Sequence, residues 1–206
     1  MSVYKVFYDN NTLIFSGSHT RGDAFCMTPR QLALTDLTKI PKIFRNSDTV
    51  EIISPDFEDV FRSFCGRFVA TYAAGGVVTD PAGRVLMMQR RGRWDLPKGH
   101  REAGETDMEC ARREVCEECG IADVDILHPI CRTLHFYNTY GPWELKHTEW
   151  FAMRYAGSAA PVPQREEDIT ALEWCDTATA LDHARSSFTS ILEVLSSYEK
   201  TINPKI

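Results

Sequence analysis

Between Val3 and Phe15 the chain is apolar and rich in β-favouring residues on either side of Asp9-Asn10-Asn11, which predicts a hairpin of two strands. Thr28-Pro29 marks a helix start, and Thr49 to Ile53 predicts another strand. Ser54-Pro55 opens an amphipathic helix, with Phe57, Val60, Phe61 and Phe64 at helical spacing. Residues 1–66 therefore predict a small α/β unit with its own modest core. No catalytic residue types gather along this stretch, so its role is not legible from it. The texture changes near Arg67. Phe68 to Thr79 predicts a buried strand, Asp80-Pro81-Ala82-Gly83 a turn, and Arg84 to Gln89 a second strand. Arg90 to Glu105, rich in Gly, Arg and Pro, predicts a loop. Thr106 and Glu109 form a capping box at the start of a helix. Met108, Ala111, Val115 and Cys119 make its apolar stripe, and Gly120 ends it. Strands follow around Ile130–Tyr137, Glu149–Tyr155 and Ile169–Trp174, and helical periodicity fills Thr179 to Tyr198. Strands wrapped between helices in this order predict a mixed α/β sandwich over residues 67–206.

The 206 residues suit an ordinary domain plus a small extra unit. With 43% hydrophobic and 25% charged residues, the chain is neither disordered nor fibrous. Acidic residues outnumber basic ones, 29 to 23, which argues against a broad basic face for nucleic acid. An anionic substrate would need a local basic cluster, a metal, or both. The longest weakly polar run, Phe68 to Val78, is too short for a membrane span, which takes ~20 apolar residues. The opening MSVYKVFYDN lacks a charged start followed by an apolar core, so no secretory signal is expected. Seven cysteines, an odd number without framework spacing, fit reduced thiols in a cytoplasmic protein. Cys116-x-x-Cys119 lies mid-helix with no second pair nearby and reads as structural.

The stretch Gly99 to Ile121, GHREAGETDMECARREVCEECGI, concentrates the chemistry. Glu114, Glu117 and Glu118 stand at i, i+3 and i+4, so the three carboxylates share one helix face. Such crowding repels unless a cation resolves it, and oxygen donors favour a hard ion such as Mg2+, or Mn2+, over zinc. Between Arg90 and Arg101 lie five bases, Arg90, Arg91, Arg93, Lys98 and Arg101, against Asp95 and Glu102. That local excess is where a polyphosphate is expected, with Lys98 the leading contact.

The spacing of Gly99, Glu105, Arg113-Glu114-Val115, Glu117-Glu118 and Gly120-Ile121 matches the Nudix box at every fixed position. Over roughly residues 69–200 the chain resembles the Nudix hydrolase family. The resemblance implies an α/β/α sandwich whose loop–helix–loop binds divalent cations, and hydrolysis of a pyrophosphate bond in a nucleoside diphosphate linked to another moiety. It implies Glu117 and Glu118 as metal ligands, Glu114 as a third ligand or base, and the Gly99 carbonyl as a further ligand. Arg113 and Glu105 resemble the supporting salt bridge. Glu166 or Glu167, before the last strand, resembles the further glutamate that such enzymes place outside the box, as the water-activating base or another ligand, with Glu149 a rival. Trp94-Asp95-Leu96-Pro97-Lys98-Gly99-His100 resembles the subgroup holding diadenosine polyphosphate hydrolases, diphosphoinositol polyphosphate hydrolases and nucleoside triphosphate sanitisers. Tyr137 stands where dinucleoside polyphosphate hydrolases carry a base-stacking tyrosine, and Tyr140 and Trp143 also suit stacking. The expected substrate is a dinucleoside polyphosphate, with Arg90, Lys98 and Tyr137 as contacts. ADP-ribose, a nucleoside triphosphate or a diphosphoinositol polyphosphate are alternatives, as is a non-catalytic nucleotide-sensing module. No nucleic-acid or membrane partner is expected, and the oligomeric state stays open, a homodimer included.

Overall fold

The computed structural model describes residues 3–22, 24–139 and 141–203. They form two compact units, one of residues 1–71 with 134–146, the other of residues 72–133 with 147–206. The first unit thus takes in a segment that lies far from residues 1–66 in sequence.

In the first unit, β1 (Tyr4–Tyr8) and β2 (Asn11–Ser16) pair antiparallel about the Asp9-Asn10 turn. Asp9 adopts φ 49°, a left-handed conformation that aspartate tolerates. β3 (Phe25–Met27) and β4 (Thr49–Ile53) add in parallel, in the order β1-β2-β4-β3. Thr28 caps α1 (Pro29–Leu34) through a capping box with Gln31. A 3-10 helix over Leu37–Arg45, which periodicity did not reveal, precedes β4. α2 (Phe57–Cys65) lays Phe64 into a core of Val6, Leu13, Phe15, Val50 and Ile52. Leu134, Phe136 and Leu145 complete that core. A unit of only about seventy residues buries apolar surface sparingly, and three borrowed aliphatic and aromatic side chains are a substantial addition.

The second unit is an α/β/α sandwich. Its strands are β5 (Val69–Thr79, from residue 72 onward), β6 (Val85–Arg90), β7 (Arg93–Asp95), β8 (Lys98–His100), β9 (Val124–Tyr137, up to residue 133), β10 (Glu144–Tyr155, from residue 147 onward) and β11 (Ile169–Cys175). The order is β11-β6-β5-β10-β9, with β7 on β6 and β8 on β5. Alternation along the strands splits the core into two layers. Val77, Val85, Met87, Trp150 and Ala152 face α4 (Thr177–Arg185) and α5 (Thr189–Ile202). Ala74, Val78, Leu86, Phe151 and Met153 face α3 (Asp107–Cys119). No helix among the described residues is long and apolar enough to cross a membrane, and all seven cysteines are free thiols.

Several expectations change. The Arg90–Glu105 loop contains β7 and β8. Arg91 and Gly92, at φ 50° and 75°, form the two-residue turn that folds β7 onto β6 with Arg90 opposite Arg93. β5 is buried only from Ala73 onward. The run Thr179–Tyr198 is two helices, because Ser186 turns back onto the end of α4, its backbone N–H on Asp182 and His183 and its hydroxyl on His183. Met108 is 49% exposed, and the buried face of α3 is Cys110, Ala111, Val115, Glu118 and Cys119. Periodicity assigns a direction around the helix; it does not say how far along the axis the sheet extends.

Candidate active site

The site is assembled at the junction of β8 and α3. β8 pairs with β5, Gly99 opposite Ala74, and so delivers the Gly99 backbone to the flank of the helix. No Cβ fits at Gly99, because it would overlap the Glu114 carboxylate. Glycine is required here for close approach. The Gly99 carbonyl accepts from the Cys110 thiol at 3.5 Å. Gly75 serves the same junction, since a Cβ there would overlap the Pro97 carbonyl.

α3 starts at Thr106, whose hydroxyl accepts from the Glu109 N–H while the Glu109 carboxylate accepts from the Thr106 N–H. It stops at Gly120 in the left-handed conformation, φ 65°. Within these limits Glu114, Glu117 and Glu118 project from one face at increasing or decreasing depth. Glu118 is 2% exposed, Glu114 half-buried and Glu117 exposed. The Glu118 carboxylate accepts from the Lys98 backbone N–H at 2.8 Å and from the Arg90 guanidinium at 3.2 Å. Burial outweighs those contacts and pushes its pKa up to about 7. Burial also raises Glu114.

Arg113 is the hub of the other half. Its guanidinium donates to Glu105 at 2.8 and 3.0 Å, to Glu114 at 2.8 Å, to Glu117 at 3.0 Å and to the His100 carbonyl at 2.9 Å. The fork-to-carboxylate contact holds Glu105 down at about 2. One cation therefore fixes the loop carboxylate, the loop backbone and the helix carboxylates together.

The loop after β10 closes the site from another side. Val162 and Gln164 donate backbone N–H groups to the carbonyls of Cys119 and Glu118, which sets the following turn, Arg165–Glu167, beside the helix end. Glu167 reaches Arg90, so that arginine bridges Glu167 and Glu118. Glu166 is exposed on the same turn. Glu149, the rival carboxylate, pairs with Arg132.

The basic residues of 90–101 do not present a bare positive surface. Lys98 Nζ pairs with Asp95 at 2.6 Å, Arg91 with Asp168 at 2.9 Å, and Arg101 with Asp107 at 2.9 Å. Arg93 lies over the Phe188 ring. Four of the five acidic partners of this segment, Glu118 and Glu167 for Arg90, Asp168 for Arg91 and Asp107 for Arg101, come from outside it, and their proximity is invisible to a local charge count. Tyr137 belongs to the first unit, where its hydroxyl donates to Glu144 at 2.8 Å and Lys146 lies over its ring. Trp143 packs in that unit's core, and Tyr140 lies outside the described residues. Tyr72, read from sequence as part of a buried strand, is 48% exposed in the second unit, flanked by the Arg101 guanidinium and the His147 ring. Its strand alternation with buried Ala73 was the available signal.

Five carboxylates, Glu105, Glu114, Glu117, Glu118 and Glu167, are neutralised here by two guanidinium groups, those of Arg90 and Arg113. The surplus of oxygen donors suits a hard divalent cation. The glutamates are drawn to the two arginines; among the described residues, the groups bringing three ligand atoms within 4.8 Å are His19–Cys26–Glu51 and Glu173–Cys175–His183.

The order of strands, the glutamate helix and the closing loop together define a Nudix domain, and the NUDIX domain family model matches residues 70–192. The chain belongs to the Nudix family, whose members generally use divalent cations. It is 37% identical over 102 residues to the MutT4 protein of Mycobacterium tuberculosis (strain CDC 1551 / Oshkosh), covering 44% of this chain and 41% of that protein. It is 24% identical over 132 residues to an RNA pyrophosphohydrolase of Rhodopseudomonas palustris (strain HaA2), covering 57% of this chain and 79% of that one. Of solved structures, a C. elegans Ap4A hydrolase binary complex superposes with TM-score 0.53 at 22% identity, over 65% of this chain and 98% of that one. The E. coli ORF135 protein gives TM-score 0.52 at 18% identity, over 68% and 96%. At such identities the likeness is one of fold.

Proposed function

We propose that the protein is a pyrophosphohydrolase that cleaves a phosphoanhydride bond in a nucleoside polyphosphate, dependent on Mg2+ or Mn2+. The observation that carries this reading is the surplus of carboxylates gathered around the buried Glu118, beside a glycine that admits no side chain. Glu114, Glu117, Glu118 and the Gly99 carbonyl would hold the cation. When bound, it supplies charge neutralisation for the phosphates and activation of water. The protein's own share is positioning. Arg113 orients Glu114 and Glu117 while it ties the loop through Glu105 and the His100 carbonyl. The Lys98 N–H and Arg90 orient Glu118. Water adds to phosphorus as the bridging P–O bond breaks, and a carboxylate of this cluster takes the water's proton. We assign that base role to Glu166 or Glu167, both on the turn before β11. In the double substitution to Gln, turnover should be abolished while cation and substrate still bind; unchanged turnover would move the role to Glu114 or Glu149.

Within this class the substrate we propose is a dinucleoside polyphosphate, diadenosine tetraphosphate yielding ATP and AMP. The Leu96-Pro97-Lys98-Gly99 segment and Tyr137 support it, and Tyr72 adds an exposed ring in the same unit as the glutamates. A product-release assay on diadenosine tetraphosphate, ADP-ribose, nucleoside triphosphates and a diphosphoinositol polyphosphate, with Mg2+, Mn2+ or excess chelator, tests both levels. Full activity in chelator would overturn the cation dependence. A better kcat/KM for another substrate would replace the dinucleotide and leave the hydrolase reading standing. Nucleotide binding without turnover of any substrate would make the chain a sensing module in an otherwise intact family frame.

A further inference from the structure

The first unit carries a second cluster of ligating side chains, unrelated to the glutamate helix. In the parallel pairing of β3 with β4, Cys26 stands opposite Glu51, so their side chains lie side by side on one face of the sheet. That face is opposite the one on which Val50 and Ile52 enter the core. A carboxylate in the run Thr-Val-Glu-Ile-Ile is nonetheless 0% exposed, because the segment after β2 folds over it. The backbone N–H of Thr20 donates to Glu51 Oε1 at 2.8 Å and that of Arg21 at 3.0 Å, and the Thr20 hydroxyl donates to the same oxygen. Three donors on one oxygen fix the carboxylate's orientation, as supporting hydrogen bonds do for ligands at metal centres. The other oxygen, Oε2, faces His19 Nδ1 at 3.2 Å. The same nitrogen lies 3.7 Å from Cys26 Sγ.

We propose that His19 Nδ1, Cys26 Sγ and Glu51 Oε2 form a binding site for a zinc-class divalent cation at the edge strand of the first unit. Two of the three separations, sulfur to nitrogen and nitrogen to oxygen, match the edges of a coordination tetrahedron. Bonds of about 2.3 Å to sulfur and about 2.0–2.1 Å to nitrogen and oxygen at the tetrahedral angle put sulfur and nitrogen about 3.6 Å apart, and nitrogen and oxygen about 3.3 Å apart. The observed separations are 3.7 and 3.2 Å, and all three atoms lie within 4.8 Å of one another. Hydrogen bonding alone gives Nδ1 one partner at a time: it donates to Glu51 while the Cys26 thiol turns to the Ala24 carbonyl, 3.7 Å from the sulfur, or it accepts from the thiol and faces a carboxylate lone pair. A cation between the three satisfies all of them. The mixed sulfur, nitrogen and oxygen donor set selects a borderline ion of the zinc type over Mg2+ or Ca2+. Bound there, the ion ties the segment bearing His19 to strands β3 and β4, with the thiol proton released to solvent and a fourth position left for water. The cluster Glu173–Cys175–His183 of the second unit is a poorer match, its His183 Nε2 standing 3.9 Å from the Glu173 carboxylate.

Cobalt(II) substitution tests the assignment in the full-length, tag-free chain after chelator dialysis. One equivalent of Co2+ should give a thiolate-to-cobalt charge-transfer absorption that Zn2+ displaces. The oxygen donors of the glutamate site cannot produce that band. Cys26→Ser should abolish it, His19→Ala should weaken Co2+ binding about tenfold or more, and His183→Gln should leave both unchanged. Absence of the band in the unmodified protein would overturn the site, and so would its persistence in Cys26→Ser or its loss in His183→Gln. Should Cys26→Ser fail to fold, His19→Ala, altered in an exposed side chain, decides by the same titration and by metal content after gel filtration in Zn2+.

Discussion

The glutamate site of the second unit and the His19–Cys26–Glu51 cluster of the first are built in opposite ways. The first is local: Gly99 to Ile121 supplies its framework, and one helix carries three carboxylates at i, i+3 and i+4. The second draws on a loop, an edge strand and a neighbouring strand, with Glu51 thirty-two residues from His19 in sequence. Helical periodicity decides who shares a face in the former case, and only strand register does so in the latter. The donor chemistry also differs, oxygen throughout on the helix against sulfur, nitrogen and oxygen at the sheet edge. The two donor sets therefore differ in the class of divalent ion each favours, a hard ion for oxygen alone and a borderline ion for the mixed set.

The largest expected effect separates chemistry from fold at the helix. Glu118→Gln keeps the shape and removes a charge from a side chain that is 2% exposed, so kcat should fall by about two orders of magnitude with the fold intact. Steady-state kinetics with a thermal melt on the same sample checks this, and a loss of tenfold or less would put Glu118 outside the cation's ligands. Next comes Gly99→Ala, which places a methyl group where the Glu114 carboxylate sits. It should cost about 1–3 kcal/mol of stability, as overpacking does, and most of the activity. A urea midpoint unchanged from the unmodified protein would show that β8 shifts freely, contrary to the close fit described here.

The aromatic residues sharpen the comparison of units. Base stacking is worth about 1–3 kcal/mol, so removing a stacking ring should raise KM at least fivefold while kcat stays within about twofold. Tyr72→Ala and Tyr137→Ala, measured on the same dinucleotide, should separate: the ring that stacks moves KM, and the one that serves its own unit moves the melting temperature. No KM change in either would remove aromatic stacking from the substrate reading.

A smaller effect is expected from the Glu105–Arg113 pair. Its folded pKa of about 2 lies below the ordinary value of 4.5, so the charged form stabilises the folded state. That contribution is complete above about pH 5 and is lost as pH falls toward about 2. The unmodified protein should exceed Glu105→Gln in stability near neutrality, and the gap should narrow through that acid range in denaturant titrations. A gap independent of pH would show that the hydrogen bonds, not the charge, do the stabilising. The smallest effect on catalysis is expected from Cys26→Ser, whose kcat on the dinucleotide with Mg2+ should stay within about twofold of the unmodified protein.

Much of the second unit was legible because its signals are local. Thr106 and Glu109 announce the start of α3, Gly120 its end, and the glutamate spacing the face between. The turn Asp80-Pro81-Ala82-Gly83 likewise separates β5 from β6. What failed was whatever depended on depth or on distant partners. Met108 fits the stripe and lies exposed; Tyr72 sits in an apolar run and lies exposed; β7 and β8 hide in a stretch whose composition reads as loop. The basic segment from Arg90 to Arg101 reads as a local excess of charge, and only in space do Asp107, Glu118, Glu167 and Asp168 meet it.

By itself the amino-acid sequence determined the family, the glutamate helix with its caps, and the course of most strands, since hydrogen-bonding propensity, apolar periodicity and turn chemistry act between residues a few positions apart. Only the tertiary structure decided that Glu118 is buried and Glu117 is not, that Leu134–Lys146 belongs with the N-terminal residues, and that His19, Cys26 and Glu51 meet. Burial depth and strand register arise from packing between segments far apart in the chain, and no local pattern encodes which segment will arrive.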